Sequence, residues 1–411
     1  MKSPCLVAST LLLSLLMPAL AQATNGYFSH GYGIKSQGMA GVGIALPQDG
    51  LAAASNPAGI AFVGNRLDLG ASLFKPQREA SISGNPYGLD GHYSGNSKKY
   101  FVLPELGYVH PLDERYTSGL AIYGHGGMNT GYDRNPWANM GASGSAGVSL
   151  EQLFVAPTLA VRLHPHHAVG LSLNLAYQRF EARGIQPFAG FSQAPGHFSN
   201  RGKDSSTGWG VRVGYTGKIA SGLTLGLTYT SKTRMGKFKK YKGLFADQGS
   251  FDVPASYGIG LAWQASPGLT LAADLQHIRY GDIKAVGNPM VDAPFGSSGG
   301  PGFGWRNQTI AKLGISHQIS PRLTLRAGYS HASQVVRSSE VMLNILAPGV
   351  IKDHLSLGAT WTTDSNNELS LAYTHAFSNT VKGTLPANVG GGQARLKMNQ
   401  HILGVAYSWL F

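Results

Sequence analysis

The chain has 411 residues, with 33 Lys and Arg against 20 Asp and Glu, a formal charge of +13 and 56 glycines. Only 13% of its residues are charged, where a soluble domain averages about 25%. A mean hydropathy of -0.07, without a run of about 20 apolar residues in the mature part, excludes a bundle of membrane helices and leaves an exported β-barrel as the apolar, non-helical alternative. For such a chain the natural counterparts of a basic charge are acidic lipid head groups or carboxylate ligands, not nucleic acid.

Residues 1–23 read as a targeting segment. Lys2 supplies the positive start, "LVASTLLLSLLMPAL" (6–20) an apolar stretch too short for a comfortable span, and "AQA" (21–23) the small-residue cleavage site. Its removal takes away Cys5 and leaves 388 residues without cysteine. That excludes disulfides, a thiolate nucleophile and a cysteine-based metal site.

Residues 24–65 follow neither a helix nor a strand period. Their most distinctive stretch is "LAAASNPAGIAFVG" (51–64), small and apolar with an Asn-Pro pair in its middle. From residue 66 onward a period of two takes over. In "LTLGLTYTS" (223–231), Leu223, Leu225, Leu227 and Tyr229 share one face; Thr224, Gly226, Thr228 and Thr230 share the other. The same alternation runs through "VGLSLNLAYQ" (169–178), "LTLRAGYS" (323–330), "LSLGATW" (355–361) and "LSLAYTHAF" (369–377). An apolar face opposed to a small polar one, repeated strand after strand, is the pattern of a barrel in lipid.

Six short connections, at 111–115, 164–167, 220–222, 266–268, 320–322 and 364–367, alternate with seven longer ones near 81–98, 125–148, 184–207, 236–250, 281–303, 336–349 and 380–393. Short periplasmic turns alternating with long outer loops predict 14 antiparallel strands, with both chain ends on the periplasmic side. The last segment, "HILGVAYSWLF", places Leu403, Val405, Tyr407, Trp409 and Phe411 on one face and closes on an aromatic residue suited to the interface. It also resembles the terminal signal that bacterial barrel-assembly machinery recognises.

The segment "NGYFSHGYGIKSQGMAGVGIALPQDGLAAASNPAGIAFV" resembles the N-terminal hatch of the FadL/TodX family of outer-membrane transporters. The likeness rests on its aromatic opening, the small residues of Gly38–Gly43, the acidic step at Asp49 and above all Asn56, Pro57 and Ala58. With the strand count behind it, the resemblance extends over the whole mature chain. It implies an all-β, 14-stranded transmembrane barrel (66–411) with a hatch (24–65) in its lumen, in the outer membrane of a Gram-negative bacterium. It further implies a monomer with no cofactor and no energy coupling. Long-chain fatty acids or other hydrophobic compounds are then captured by outer loops, bound inside the barrel and released through a lateral opening near the third strand. The ligand stays open between a fatty acid, an aromatic hydrocarbon and another small hydrophobe.

Within that frame, several residues stand out. Pro104 and Pro157 interrupt the second and fourth strands, where a residue without an amide hydrogen breaks the ladder. Between them the third strand ends in Gly124, Gly126 and Gly127, so these five residues are candidates for a lateral opening. Alternation points Arg162, Arg212, Lys312 and Arg326 inward, with Glu105 and Asp274 as acidic partners. Arg212, Lys312 and Arg326 are candidate contacts for a carboxylate head group; their alternative role is to hold the plug. The loop "GKFKKYKGLF" interleaves Lys237, Lys239 and Lys240 with Phe238, Tyr241 and Phe245. It is a candidate for capturing anionic amphiphiles; its alternatives are a site for lipopolysaccharide phosphates or a solvated surface. The apolar loop 135–154 is a second capture candidate. "HPHH" (164–167) sits in a tight turn without a carboxylate at useful spacing, which argues against a metal site. An enzyme that modifies lipids is the rival of another class, but no segment carries its constellation and such an enzyme needs no plug. A general porin is expected to have more strands, and an adhesive barrel fewer.

Overall fold

The computed structural model describes residues 25–411 except Gly126; the targeting segment lies outside the described residues. Fourteen strands form the wall: β1 (Arg66–Ser83), β2 (Phe101–Pro111), β3 (Tyr116–His125), β4 (Gly147–His164), β5 (His167–Arg183), β6 (Asp204–Ala220), β7 (Leu223–Thr230), β8 (Ser256–Ser266), β9 (Leu269–Ile278), β10 (Gln308–Ser320), β11 (Leu323–Ala332), β12 (Asp353–Thr362), β13 (Glu368–Thr384) and β14 (Gln393–Leu410). Each pairs antiparallel with its neighbours in the chain. β14 returns to β1 along a continuous ladder, from Leu410 opposite Arg66 to Gln393 opposite Ser83. That ladder closes the sheet into a barrel. No described helix is long and apolar enough to cross a membrane.

The predicted faces are the observed ones. On β5, Leu171, Leu173 and Leu175 point outward and are exposed, while Ser172 and Asn174 point inward and are buried. The short connections fall at 112–115, 165–166, 221–222, 267–268, 321–322 and 363–367, as the turn residues predict. The long ones differ more. β1, β4 and β14 each run 18 residues, where about 9–11 suffice to cross a bilayer, so the wall continues above the membrane and takes residues from the loops. β7 ends after 8 residues, and the connection after it spans 231–255 instead of the expected 236–250.

Residues 25–65 occupy the enclosed space and are almost entirely buried. Their polar contacts reach inward-facing side chains around the circle. Gly33 N donates to Glu105 on β2, and Asn56 Nδ2 to Thr216 on β6. Gly43 and Ile44 N donate to Asp274 on β9, and Lys312 on β10 donates to Gly41 O. Arg326 on β11 donates to Gln48, and Lys35 donates to Glu368 on β13. The wall needs an inward polar face because it must satisfy this irregular backbone, which lacks a ladder of its own.

Asn56 shows how the segment is seated. Its Nδ2 lies 2.7 Å from Ile44 O, 2.9 Å from Tyr215 O and 2.9 Å from Thr216 Oγ1. Its Oδ1 accepts from Ala58 N and so caps the short 3-10 turn Pro57–Phe62. Pro57 opens that turn, where its missing amide hydrogen costs nothing. The wall comes close at this point because Gly170 and Gly214 lack side chains: a Cβ would stand 2.3 Å from Pro57 C at the first and 2.0 Å from Asn56 Oδ1 at the second. Replacing Asn56 by Ala leaves buried carbonyls without this donor and is expected to cost about 1–3 kcal/mol. Hydrogen exchange should register it as faster exchange at residues 44 and 56–62; unchanged protection would mean that Asn56 does not seat the segment.

Candidate functional site

Between the N-terminal segment and the outer loops lies a cavity of about 40 Å³. Phe28 and Tyr32 line it from the segment; Tyr123 and His125 of β3, Phe154 of β4, Asn174 of β5 and Arg212 of β6 line it from the wall. The aromatic side is closely packed. Phe28 and His125 ring centroids are 3.7 Å apart, Tyr32 and Tyr123 4.7 Å, and Tyr123 stacks on Phe154 at 5.5 Å and 7°. Opposite stand polar groups. Arg212 donates to Ala53 O at 3.1 Å and to Thr230 Oγ1 at 2.8 Å, which leaves part of its five-donor fork free. Asn174 is 1% exposed, and both its amide atoms lack a partner among the described residues, as does His125 Nδ1. Buried polar atoms without partners mark a place for water or ligand. As it stands the cavity has room for little more than water, so a larger guest requires the segment or the loops to shift.

The structure separates the three head-group candidates. Arg212 faces the cavity. Lys312 borders it, but its Nζ is held by Gly41 O at 3.0 Å and His30 O at 3.4 Å. Arg326 does not line it; it binds Gln48 Oε1 at 2.8 Å and Thr360 Oγ1 at 2.7 Å, so its place is in seating the segment. Glu105 and Asp274 likewise accept backbone amides of the segment. Arg162 donates to Ala61 O. Lys35, which the sequence leaves without a role, meets Glu368 at 2.6 Å, and Glu368 also meets Arg66 at 2.8 Å. Arg66 pairs with Asp68 at 2.8 Å, and Asp68 accepts from Gly50 N. Asp49 completes the group by capping the turn Gly50–Ala54 through Leu51 N; burial, then the neighbouring Asp68, pushes its carboxyl up to about 6.

Beside the cavity the wall is incomplete. β2 pairs with β3 from Pro111 opposite Thr117 to Glu105 opposite Tyr123, and among the described residues that ladder goes no further. Phe101–Pro104 still pair with β1, and Gly124 and His125 still pair with β4. The register therefore puts Pro104 and Gly124 at the point where β2 and β3 part. Ser29 Oγ of the N-terminal segment donates to Gly124 O at 3.0 Å, supplying a bond the ladder does not. Just inside lies a small apolar cluster of Phe74, Phe101, Leu103 and Ile402 with Leu153. Pro157 is elsewhere: it is opposite Leu120 in an intact β3–β4 ladder, and the interruption beside it is toward β5. Gly127 lies beyond the end of β3, and Gly126 is outside the described residues.

The outer loops depart furthest from expectation. Phe238, Tyr241 and Phe245 are buried, packed around Phe180 at centroid distances of 4.6–5.6 Å. They form the core of their loop and offer no open capture surface; of the six candidates, Lys237, Lys239 and Lys240 are exposed. Trp137, in the other candidate loop, is buried edge-on against Phe188. An outward groove of about 450 Å³ opens instead between Phe188, Phe191, Met290, Phe295 and Met342. Its only sequence signal is apolar residues beside prolines in "QPFAGF" and "NPMVDAPF". In "HPHH", His167 Nδ1 meets Tyr215 OH at 2.7 Å, and no cluster of three or more metal-ligating side chains occurs among the described residues.

A family model described as outer membrane protein transport protein (OMPP1/FadL/TodX) matches residues 15–411. A putative outer membrane protein of Neisseria meningitidis serogroup B is 24% identical over 469 residues, covering 100% of both chains. Among solved structures, the Pseudomonas putida toluene transporter TodX superposes with a TM-score of 0.70 at 22% identity, covering 93% of this chain and 99% of that one. A Pseudomonas aeruginosa FadL homologue gives 0.70 at 17% identity, covering 96% and 99%. The Ralstonia pickettii toluene transporter TbuX gives 0.61 at 17%, covering 93% and 99%. These likenesses establish the fold. With nearly its whole length matched by the family model, the chain belongs to the outer membrane protein transport family (OMPP1/FadL/TodX) and is a β-barrel of the outer membrane.

Proposed function

We propose that the barrel carries amphipathic hydrophobic compounds, foremost long-chain fatty acids, inward without energy coupling. The observation that carries this reading is the position of the cavity: it lies above the N-terminal segment and directly beside the point where β2 and β3 part. A ligand caught in the groove between Phe188 and Met342 descends to the cavity. There Arg212 and the unpartnered Asn174 amide take its polar end, and the rings of Phe28, Tyr32, Tyr123 and Phe154 take its apolar part. The segment then acts as a hatch, closing the straight route and leaving the parted strands as the exit into the membrane. Cavity and seam are built by one chain, so a monomer suffices.

A second reading, an aromatic hydrocarbon, is favoured by the stacked rings themselves, which suit a planar guest. TodX and TbuX, which share the fold, are toluene transporters. Arg212→Gln distinguishes the two, because Gln can still reach Ala53 O or Thr230 but carries no charge. Binding of oleate to the purified barrel is expected to weaken by about 1.5–3 kcal/mol, the range for a hydrogen bond to a charged group, and binding of toluene to stay unchanged. Equal loss of both ligands would mean that Arg212 only seats the hatch. Oleate binding unaffected by the substitution, with toluene bound tightly, would move the assignment to aromatic hydrocarbons.

A further inference from the structure

We infer that the outer face of β13, β14 and β1 is a binding surface for the phosphate groups of the outer-leaflet glycolipid, lipopolysaccharide. The strand register sets Lys75 of β1 beside His401 of β14, and His401 beside His375 of β13, in one outward-facing row. The two histidine Nδ1 atoms are 3.4 Å apart. Above this row the same ladders place Lys397 opposite Glu79, and Arg395 opposite Lys382. Four fixed cations, Lys75, Lys382, Arg395 and Lys397, thus share one outward patch, in which a Glu79 oxygen is 3.9 Å from Lys397 Nζ. From the adjoining loop, Tyr100 lies under Lys75 with its ring centroid 5.7 Å from Nζ.

The height of the patch identifies its partner. Below the row the outward residues are Leu73, Leu403 and Tyr373, each more than 40% exposed. About eight residue steps at about 3.3 Å, with a tilt of about 40°, lift Lys75 about 20 Å above Leu67, close to the top of an apolar band about 25 Å tall. The cations therefore begin where acyl chains end and head groups start. A phosphorylated glycolipid matches both halves, its acyl chains on the leucines and its phosphates on the Lys and Arg side chains. On β4 and β5, by contrast, the outward charges are matched: Arg179 pairs with Glu151, and Lys203 lies 3.5 Å from the same carboxylate. The patch is also distinct from the basic loop at Lys237–Lys240 in the sequence reading.

The test is binding of bis-phosphorylated lipid A to the purified, folded barrel in detergent, followed by native mass spectrometry. Converting Lys75, Lys382, Arg395 and Lys397 together to Gln is expected to weaken binding by at least about tenfold. Converting Lys237, Lys239 and Lys240 to Gln should leave it unchanged, and dephosphorylated lipid A should bind wild type as weakly as intact lipid A binds the fourfold variant. If the fourfold variant does not fold, as judged by heat-modifiable gel mobility, the double variant Lys75→Gln/Lys397→Gln should show a partial loss. Undiminished binding by the patch variants, equal loss in the loop variant, or equal binding of the dephosphorylated lipid would each overturn the assignment.

Discussion

Deleting residues 25–65 is expected to yield a folded barrel that passes small polar solutes freely and no longer selects hydrophobic ones. The wall does not need the segment for its ladder, since β14 closes on β1 without it. What it loses are partners for inward groups such as Asp68, Glu105, Asp274 and Lys312, and those groups become hydrated once water fills the lumen. Small barrels of about 8 strands fill their interior with side chains, whereas about 16–18 strands enclose an aqueous channel. A wall of 14 strands lined by Gly, Ser, Thr and Asn lies near the second case. Single-channel conductance in planar bilayers should rise from near zero to stable open-pore steps. A deletion variant that folds and remains non-conducting would mean that the outer loops, not the segment, seal the barrel.

The second large effect is expected at the parted strands. Lipid supplies no hydrogen-bond partners, and each unsatisfied backbone group there costs several kcal/mol; a persistent gap in a barrel wall therefore needs local support. Here the support is visible: Pro104 has no amide hydrogen to satisfy, Ser29 binds Gly124 O, and an apolar cluster stands behind. Pro104→Val with Gly124→Val restores an amide and two strand-forming side chains at facing positions, and should extend the β2–β3 ladder outward. Uptake of labelled fatty acid should then fall to the background of cells without the protein, while gel mobility of the folded form is retained. Substituting Pro157 alone should have little effect, because it is opposite Leu120 in a continuous ladder. Full uptake by the Pro104/Gly124 variant would exclude the seam as the exit.

The wall was legible in the sequence because a barrel in lipid imposes a period of two on every strand, and because short turns need Gly, Pro and Asp residues that punctuate it. Pro104 and Pro157 stood out for a related reason, since proline lacks a ladder amide, but only the register separates Pro104, where β2 and β3 part, from Pro157, in an intact β3–β4 ladder. Asn56-Pro57-Ala58 stood out in the N-terminal segment, but its seating is visible only in the structure, where Asn56 bonds three acceptors and the wall narrows to glycine behind it. The cavity was less legible. Its walls come from strands spread along the chain from Tyr123 to Lys312, and alternation predicts that Arg212 and Arg326 both point inward without saying at what height. Height decides their roles, since Arg212 meets the cavity and Arg326 meets Gln48 below it. The loops were least legible: aromatic residues among lysines look the same in sequence whether they face solvent or, like Phe238 and Tyr241, pack inside.

The most direct test of the account is uptake of labelled oleate and labelled toluene by paired strains of the host, one expressing the protein and one lacking it. The account predicts saturable, energy-independent uptake of at least one of them, oleate foremost, that depends on the protein. It also predicts that this uptake is lost in the Pro104→Val/Gly124→Val variant at equal outer-membrane abundance. Equal uptake of both compounds with and without the protein would contradict it.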